Sequence, residues 1–540
     1  MMDPMPSPRF RALAACFLLA APYAAMAGWL VAHKSLQAAA GYLIAAVLLV
    51  AVLAVLTRSL RGLLLLHAPL FLLALGFDFY AFVQGDLPSY PIAFVLVTSS
   101  WDEIQQFFVL WQYQRLLWAA LVVLLVYAGV ALSLTRPSAV DFRQRALRRG
   151  AILSFGLLAA IAAGKPVEFV TGFADHPLVA TAIFIREPLA EAKLTVRGAL
   201  GDKVPYRASP VAGDSIHILI IGESSRRDSW SLYGYARATT PYLQSIAKDL
   251  VFFGNAVSDG NTTVCAVPML LTGTAPDDFD GRHFRGNVVD LAKEAGYYTT
   301  WLVNNDASIS YMLGMAADTA VYPHSAEVSI LRTSPPDGVL IDAFKRQLAH
   351  RGVPQLIAMH TFGSHAGYSY RYPPAFGQFG HKGHPAFIGA SDQELLDTYD
   401  NSLLYMDWFL QQIIEAVRTL PVPVTVTYLS DHGEELPSLD GESGHGFPAY
   451  TKGAFEIPAF VWMNAAFKQA NPGKLRALGL NRDKLIRTHD FFYSLADVMG
   501  IRWPGYIAQR SFWSASFSPD ARDGFFAAGR RVPAPVPVPD

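Results

Sequence analysis

A five-helix transmembrane bundle followed by an α/β/α sandwich with a largely parallel sheet is the fold this sequence predicts, on three observations. Apolar residues crowd into residues 1–165, where five segments stand out at about 12–32, 38–56, 62–83, 117–134 and 150–164. Beyond residue 215, short apolar runs alternate with amphipathic stretches. The polar residues able to carry chemistry fall at the ends of those runs.

Composition supports the first observation. Of 540 residues, 52% are hydrophobic and 16% charged, and the mean hydropathy is +0.26. A soluble domain carries about 25% charged residues, so much of this surface does not face water. Each of the first four segments approaches the ~20 residues that carry a helix across ~30 Å of hydrocarbon, while the fifth, AILSFGLLAAIAA, is short. The first segment also fits a cleaved signal peptide, but further spans follow at once, which favours a retained anchor.

Basic residues orient the bundle. Arg9 and Arg11 precede the first span, Arg58 and Arg61 separate the second from the third, and Arg136, Arg143, Arg145, Arg148 and Arg149 precede the fifth. The loop at 84–116 holds Asp86, Asp102 and Glu103 against Arg115 alone, although His33 and Lys34 sit in the other loop on that side. The positive-inside rule then makes the N-terminus cytoplasmic and, after five crossings, exports the C-terminal domain. The chain is expected in an inner membrane with its soluble domain in the periplasm. Within the 84–116 loop, PIAFVLVTSSWDEIQQFFVLWQYQRLLW reads as an amphipathic helix at the bilayer surface or as a plain connection. The net charge of −1 gives no nucleic-acid footprint. Two cysteines, Cys16 and Cys265, cannot build a disulfide framework.

A polar linker at 166–214 leads into a domain at 215–525, and the Pro-rich 526–540 reads as a disordered tail. Candidate strands are Ile216–Ile221, Tyr298–Val303, Leu356–Met359, Val424–Leu429 and Ala459–Met463. Candidate helices are Asn287–Ala295, Gly338–His350 and Gln393–Thr419. Continuously apolar strands between helices predict a parallel sheet covered on both faces, with its site at the carboxyl ends of the strands.

Glu223 follows the first strand directly, as a loop-bonding carboxylate or a metal ligand. Asp431 and His432 close the fourth and offer an oxygen and a nitrogen to a divalent ion, zinc above all; an Asp helix cap beside a surface histidine is the plainer reading. Thr262 and Thr263 precede an apolar helix in DGNTTVCAVPMLLTG. One of them caps that helix, where free N–H groups favour a phosphate, and a cation-bound threonine hydroxyl is an activated nucleophile. His365 and His445 sit in Gly-rich loops as second-metal ligands, proton donors or phosphate partners; His381 and His384 share such a loop, with no strand end to fix them.

The strings GESSRRDSWSLYGYARATTP, Thr263–Pro268, HTFGSH, TYDNSLLYMD and SDHGEE occur in an order that resembles the bacterial phosphoethanolamine transferases of the alkaline phosphatase–sulfatase superfamily. The resemblance spans about 215–500. It implies that Glu223, Asp431 and His432 hold a catalytic zinc and that Thr263 is both a zinc ligand and the nucleophile. It implies that His365 and His445 bind substrate phosphate or a second zinc. It implies that Ser99 and Glu103 of TSSWDE, with Asn305, line the substrate site. The implied donor is phosphatidylethanolamine, drawn from the membrane lipids, and the implied acceptor is lipid A, lipopolysaccharide core or a periplasmic glucan. The disulfides and the Lys-containing, Cys-flanked loop of the best-known members are missing here, so the acceptor stays open. A phosphoglycerol transferase or a metal-dependent phosphodiesterase would share the core motifs. A sulfatase proper lacks its Cys/Ser-x-Pro-x-Arg signature here, and a non-catalytic scaffold would not need Glu223, Thr263, Asp431 and His432 together.

Overall fold

The computed structural model describes residues 8–56, 60–84, 111–133, 205–279, 286–305, 314, 316–322, 335–350, 352–380, 391–441, 444–447, 449–519, 524–527 and 530–532. They fall into two compact units, one holding the N-terminal helices and one the C-terminal sheet. The expected fifth span, the loop residues Ser99 and Glu103, and His381 and His384 lie outside the described residues.

Four helices are described in the first unit: α1 (Pro8–His33), α2 (Leu36–Leu56), α3 (Leu60–Gln84) and α4 (Trp111–Ser133). Each overlaps one of the first four expected spans. Their inward faces pack Leu19, Leu64, Phe71 and Tyr127 in one cluster and Met26, Leu30, Tyr42 and Ala74 in another. The outward faces are apolar too, with Phe17, Leu36, Trp118, Leu125 and Leu132 exposed. A helix apolar all round needs a surrounding other than water. Within α3, Arg61–Asp78 is long and apolar enough to cross a bilayer; the other apolar stretches among the described residues are shorter.

The second unit is built on a seven-stranded sheet in the order β2-β8-β7-β1-β6-β4-β5. Its strands are β1 (Ile216–Gly222), β2 (Leu250–Phe252), β4 (Tyr298–Val303), β5 (Thr319–Val321), β6 (Gln355–His360), β7 (Val424–Ser430) and β8 (Ala459–Met463); β3 (Ala256–Val257) pairs separately with β9 (Ile486–Arg487). From β7 to β5 the strands run parallel. The expected parallel sheet needs one correction: β8 runs antiparallel to β7, and β2 antiparallel to β8. Between β7 and β8 the described residues form two four-residue helices and no long crossover helix that would return the chain for a parallel pairing.

Strand alternation builds the layers. In β1, Ile216, Ile218 and Ile220 join one core with the Val339–Gln347 and Asp392–Val417 helices. Leu219 and Ile221 join another with the Thr263–Thr272, Val288–Glu294 and Asp490–Val498 helices. Period-two side chains thus feed two helical layers from one strand. The long helix opens with Ser391 and Glu394 bonded reciprocally as a capping box. β1 lies centrally, with β6 and β7 on either side, so the sheet opens a crevice at its carboxyl end, where ligands of such sheets bind.

The two expected margins differ from the structure. Residues 205–214 of the linker pack on the sheet unit, where Val211 N–H donates to the Ala295 carbonyl. Residue 526, where the expected tail starts, is structured: Phe525–Ala527 (β10) and Arg530–Val532 (β11) form a hairpin that buries Phe525 and Phe526.

Asp407, buried on the long helix, accepts N–H from Tyr242 and Leu243 at 2.7 and 3.0 Å and so fixes the Pro241–Ser245 turn of helix. Burial pushes its carboxyl up to about 7 despite those bonds. A folded-state value raised above the ~3.9 of an unfolded Asp contributes stability below pH ~4 that is lost as pH rises toward 7. The melting temperature of Asp407→Asn minus that of the parent should therefore rise between pH 4 and 7; a constant difference would contradict this origin.

Candidate metal centre

Glu223 follows β1 and is fully buried. Gly222 before it has no room for a Cβ because the Tyr428 hydroxyl occupies that space. Ser224 after it has φ +54°, a left-handed conformation that costs a non-Gly residue roughly 1–3 kcal/mol. Three bonds hold it: its N–H to Asp431 Oδ1 (3.2 Å), its Oγ to Glu223 Oε1 (2.9 Å), and its carbonyl from the Tyr399 hydroxyl (2.8 Å). Tyr399 Oη also accepts Arg226 N–H at 2.8 Å. From the loop after β6, Ser364 N–H reaches the Glu223 carbonyl at 2.9 Å. That approach requires Gly363, at φ +51°, since a Cβ there would stand 2.8 Å from Glu223 N. Asp337 fixes the loop by accepting N–H from Phe362 and Gly363.

Asp431 and His432 follow β7 and are likewise buried. Asp431 Oδ1 accepts the His432 N–H at 2.7 Å, while Oδ2 has no hydrogen-bond partner. His432 Nδ1 lies 2.8 Å from the Gly433 carbonyl, an acceptor only, so Nδ1 donates there and Nε2 is the nitrogen turned to the carboxylates, available to a metal ion that displaces its proton. That Nε2 stands 3.3 Å from Glu223 Oε1 and 3.4 Å from Asp431 Oδ2.

Thr263 completes the group. It opens the Thr263–Thr272 helix with Thr262 as N-cap, and the Thr262 side chain makes no capping bond. The Thr263 hydroxyl lies 3.2 and 3.1 Å from Glu223 Oε1 and Oε2 and 3.4 Å from His432 Nε2. The loop before it is anchored on buried Asp259, whose carboxylate accepts from Arg487 Nε (2.7 Å), the Thr488 hydroxyl (2.8 Å) and His489 N–H (2.7 Å). β10 extends this anchor, since Phe526 N–H donates to the Asp259 carbonyl and Asn261 N–H to that of Phe526.

The two loop histidines lie beside this group. His445 Nδ1 is 2.6 Å from Glu434 Oε2, and the Tyr368 hydroxyl donates to Glu434 Oε1 at 2.6 Å. The His445 ring centroid is 4.2 Å from that of His432 and 5.9 Å from that of His365. Asn305 Nδ2 donates to Glu223 Oε2 at 2.8 Å, so it braces a carboxylate of the centre. Two neighbours escaped the sequence reading. His360, the last residue of β6, puts Nε2 3.6 Å from Glu223 Oε2, and Glu434 orients His445. His360 has the same signal as Glu223 and Asp431, a polar residue ending a buried strand.

Among the described residues, no Lys or Arg pairs with Glu223 or Asp431. Burial opposes ionisation of Glu223, but hydrogen bonds from His360 and His432 hold it well below the usual carboxylate range. Burial and the Glu223 charge push Asp431 up to about 7. Burial lowers His432, yet the Asp431 and Glu223 carboxylates outweigh it and push it up to about 10. Burial pushes His365 down to about 3.

Glu223, Asp431 and His432 each bring a ligand atom within 4.8 Å of the others, and His432, Glu434 and His445 do the same. The first group fits a divalent cation: among the described residues, two carboxylates with no cationic partner but imidazole, an orphaned Asp431 oxygen and His432 Nε2 come together, and a metal ion would take the place of the Nε2 proton. In the second group His432 has only Nε2 to give, and it points at the first.

Residues 215–501 match the sulfatase family, and the chain belongs to that family. Within it, the resemblance to bacterial phosphoethanolamine transferases is borne out by relatives so named. The phosphoethanolamine transferase EptC of Escherichia coli K12 is 27% identical over 317 residues, which is 56% of this chain and 54% of that protein. The chain thus spans about half the length of that relative. The C-terminal periplasmic domain of E. coli EptC, solved in complex with Zn, superposes with a TM-score of 0.54 at 24% identity, covering 61% of this chain and 95% of that one. The integral membrane lipooligosaccharide phosphoethanolamine transferase A (EptA) of Neisseria meningitidis gives 0.64 at 20% identity, covering 81% and 84%. Both likenesses are likenesses of fold.

Tyr399→Phe leaves the Ser224 carbonyl and Arg226 N–H without their partner in a buried place. It should lower unfolding stability by about 1–3 kcal/mol in urea titrations followed by near-UV circular dichroism. A loss below about 0.5 kcal/mol would show that this tyrosine does not brace the strained turn.

Proposed function

We propose that this chain is an inner-membrane enzyme that transfers phosphoethanolamine from phosphatidylethanolamine to an envelope lipopolysaccharide, lipid A or glycan acceptor through a phosphothreonine intermediate. The observation that carries the reading is the Thr263 hydroxyl standing 3.1 Å from Glu223 and 3.4 Å from His432 at a helix N-terminus. The name of the EptC relative supports the transferred group, and that of the EptA neighbour supports an acceptor of the lipopolysaccharide type.

Glu223, Asp431, His432 and Thr263 would hold zinc, a donor set of oxygens and one imidazole that zinc accepts. Bound there, zinc would supply Lewis acidity and lower the pKa of the Thr263 hydroxyl. The chain's own residues do the rest. Thr263 Oγ1 forms a bond to the donor phosphorus as the phosphorus–oxygen bond to diacylglycerol breaks, and the hydroxyl proton ends on the diacylglycerol oxygen. In the second half, an acceptor hydroxyl or phosphate oxygen bonds to phosphorus, its proton returns to Thr263 Oγ1, and the threonine is restored. N–H groups of the first helical turn face the phosphoryl oxygens, and His365 and His445 contribute bonds to the same charge. A second zinc beside His445 and Glu434 is part of the proposal.

Five spans place the catalytic domain in the periplasm by the charge asymmetry of the loops. Domain limits of 1–165, 166–214 and 215–525 are proposed with them, the last extended by β10–β11. Ser99 and Glu103 in the 84–116 loop and Asn305 complete the substrate site. The donor's acyl chains make leaving the bilayer expensive, at ~0.8 kcal/mol per CH₂, so chemistry must come to the surface.

Intact-mass measurement of zinc-loaded protein incubated in detergent with phosphatidylethanolamine, without acceptor, tests the reading. One added phosphoethanolamine, absent in Thr263→Ala, is expected. An adduct only with phosphatidylglycerol would make the chain a phosphoglycerol transferase, and no adduct with either lipid would sink the covalent route.

A further inference from the structure

Two glycines leave the His445 loop with little stiffness of its own. His445 stands between Gly444 and Gly446, whose φ angles of +100° and +82° are left-handed, so the chain turns sharply on either side of it. One end of the loop is tied within the β7–β8 connection. Gly444 N–H donates to the Glu435 carbonyl at 3.0 Å, and Glu435 N–H returns the bond at 2.8 Å. The other end is tied to a different part of the fold. The Asn261 side-chain amide donates through Nδ2 to the Phe447 carbonyl at 2.8 Å. A carbonyl only accepts, so the nitrogen of that amide, and not its oxygen, must face it.

Asn261 is placed to act as that tie. It precedes Thr263 by two residues and is fully buried. Its main chain is pinned from the other side, because Asn261 N–H donates to the Phe526 carbonyl of β10 at 3.1 Å and Gly260 pairs with Phe526 as a parallel bridge. The neighbouring Asp259 is bound by Arg487, Thr488 and His489, so the Asn261 side chain projects from a fixed backbone. The two loops also meet through carbon: a Cβ on Gly446 would stand 3.3 Å from Thr262 Cγ2. One continuous path thus runs from buried Asp259 through Asn261 and Phe447 to His445.

The tie matters for what His445 faces. Glu434 orients the ring through Nδ1 at 2.6 Å, and the backbone ties set how far the loop stands from Thr263. In the proposed reaction the remaining ring nitrogen, Nε2, meets phosphoryl oxygens carried by Thr263 Oγ1. A misplacement near 1 Å at such a contact costs about 10²-fold in rate. The chemistry of the tie is narrow. An Asp of the same shape would set a carboxylate oxygen against the Phe447 carbonyl, two acceptors with no proton between them.

We propose that Asn261 is a positioning residue for the transfer: its side-chain amide ties the His445 loop to the nucleophile loop and sets His445 against the phosphoryl group on Thr263. The effect on rate rests on the proposed transfer reading, and the tie itself does not.

Two variants of the full chain test it: Asn261→Asp, and Asn261→Ala for the case in which a buried carboxylate prevents folding. Amide hydrogen exchange read by mass spectrometry needs no turnover. Peptides covering 444–447 should exchange about fivefold faster than in the parent, as loss of one hydrogen bond allows, while those covering β1 and β7 keep their protection. The second readout is adduct formation by zinc-loaded protein of unchanged metal content. Its rate constant at saturating phosphatidylethanolamine should fall about 10–100-fold, with the half-saturating lipid concentration within about twofold of the parent. In a His445→Ala background the same substitution should cost less than about twofold, because a residue acting through His445 has nothing left to place. Unchanged exchange at 444–447 in a folded variant, or an undiminished cost in the His445→Ala background, would overturn the proposal. A parent that forms no adduct would sink the transfer reading, and exchange at 444–447 would still decide whether Asn261 holds the loop.

Discussion

Two buried carboxylates, Glu223 and Asp431, meet at the carboxyl end of adjacent parallel strands, and among the described residues no Lys or Arg pairs with either. Like charges removed from water repel, and each alone is costly to ionise. The described protein groups that approach both are few: the His432 imidazole, and Ser224 through its N–H to Asp431 and its hydroxyl to Glu223; the Thr263 hydroxyl reaches Glu223 alone of the two. A divalent cation relieves that repulsion at its source. Much of the surrounding architecture reads as the scaffold that keeps the two carboxylates together.

The scaffold works by tying loops of separate elements to the end of β1. Tyr399 reaches in from the long helix, Asp337 fixes the loop after β6, and Asp259 with Arg487 anchors the loop that delivers Thr263. Each is itself buried and saturated by several donors or acceptors, which is how a polar group inside a protein is tolerated. The left-handed Ser224 is the strained point that these ties hold in place. Strain at a site, held by the rest of the fold, is a common mark of function.

The sequence makes the heart of this arrangement legible because a continuous apolar run that ends in one polar residue is a strong pattern. Glu223 and Asp431-His432 stand out for that reason, and Thr263 because a threonine pair precedes an apolar helix. His360 obeys the same rule but hides inside HTFGSH, where His365 draws the eye. Glu434 and Glu435 are indistinguishable in the string GEE, yet the structure turns the first to His445 and the second to Thr451. Strand direction is invisible for β8, since a buried strand reads as apolar in either sense. β2 and β5, three residues each, are too short to show any period. The C-terminal hairpin is masked by the Pro-rich residues that follow it, although Phe525 and Phe526 are the apolar pair that anchors it. In the membrane half, loop charge carries the topology, while the partnering of Tyr23, His67 and Tyr127 across three helices becomes visible only in three dimensions.

The claim on which the account turns is that Glu223, Asp431, His432 and Thr263 form a metal seat. Its most direct test is the metal content of the purified full chain after dialysis against metal-free buffer, measured by plasma mass spectrometry on parent, Asp431→Asn and His432→Ala proteins of equal thermal stability. The account predicts at least one equivalent of zinc in the parent and its loss in both variants. Full zinc retention in either folded variant, or none in a folded parent resupplied with zinc, would contradict it.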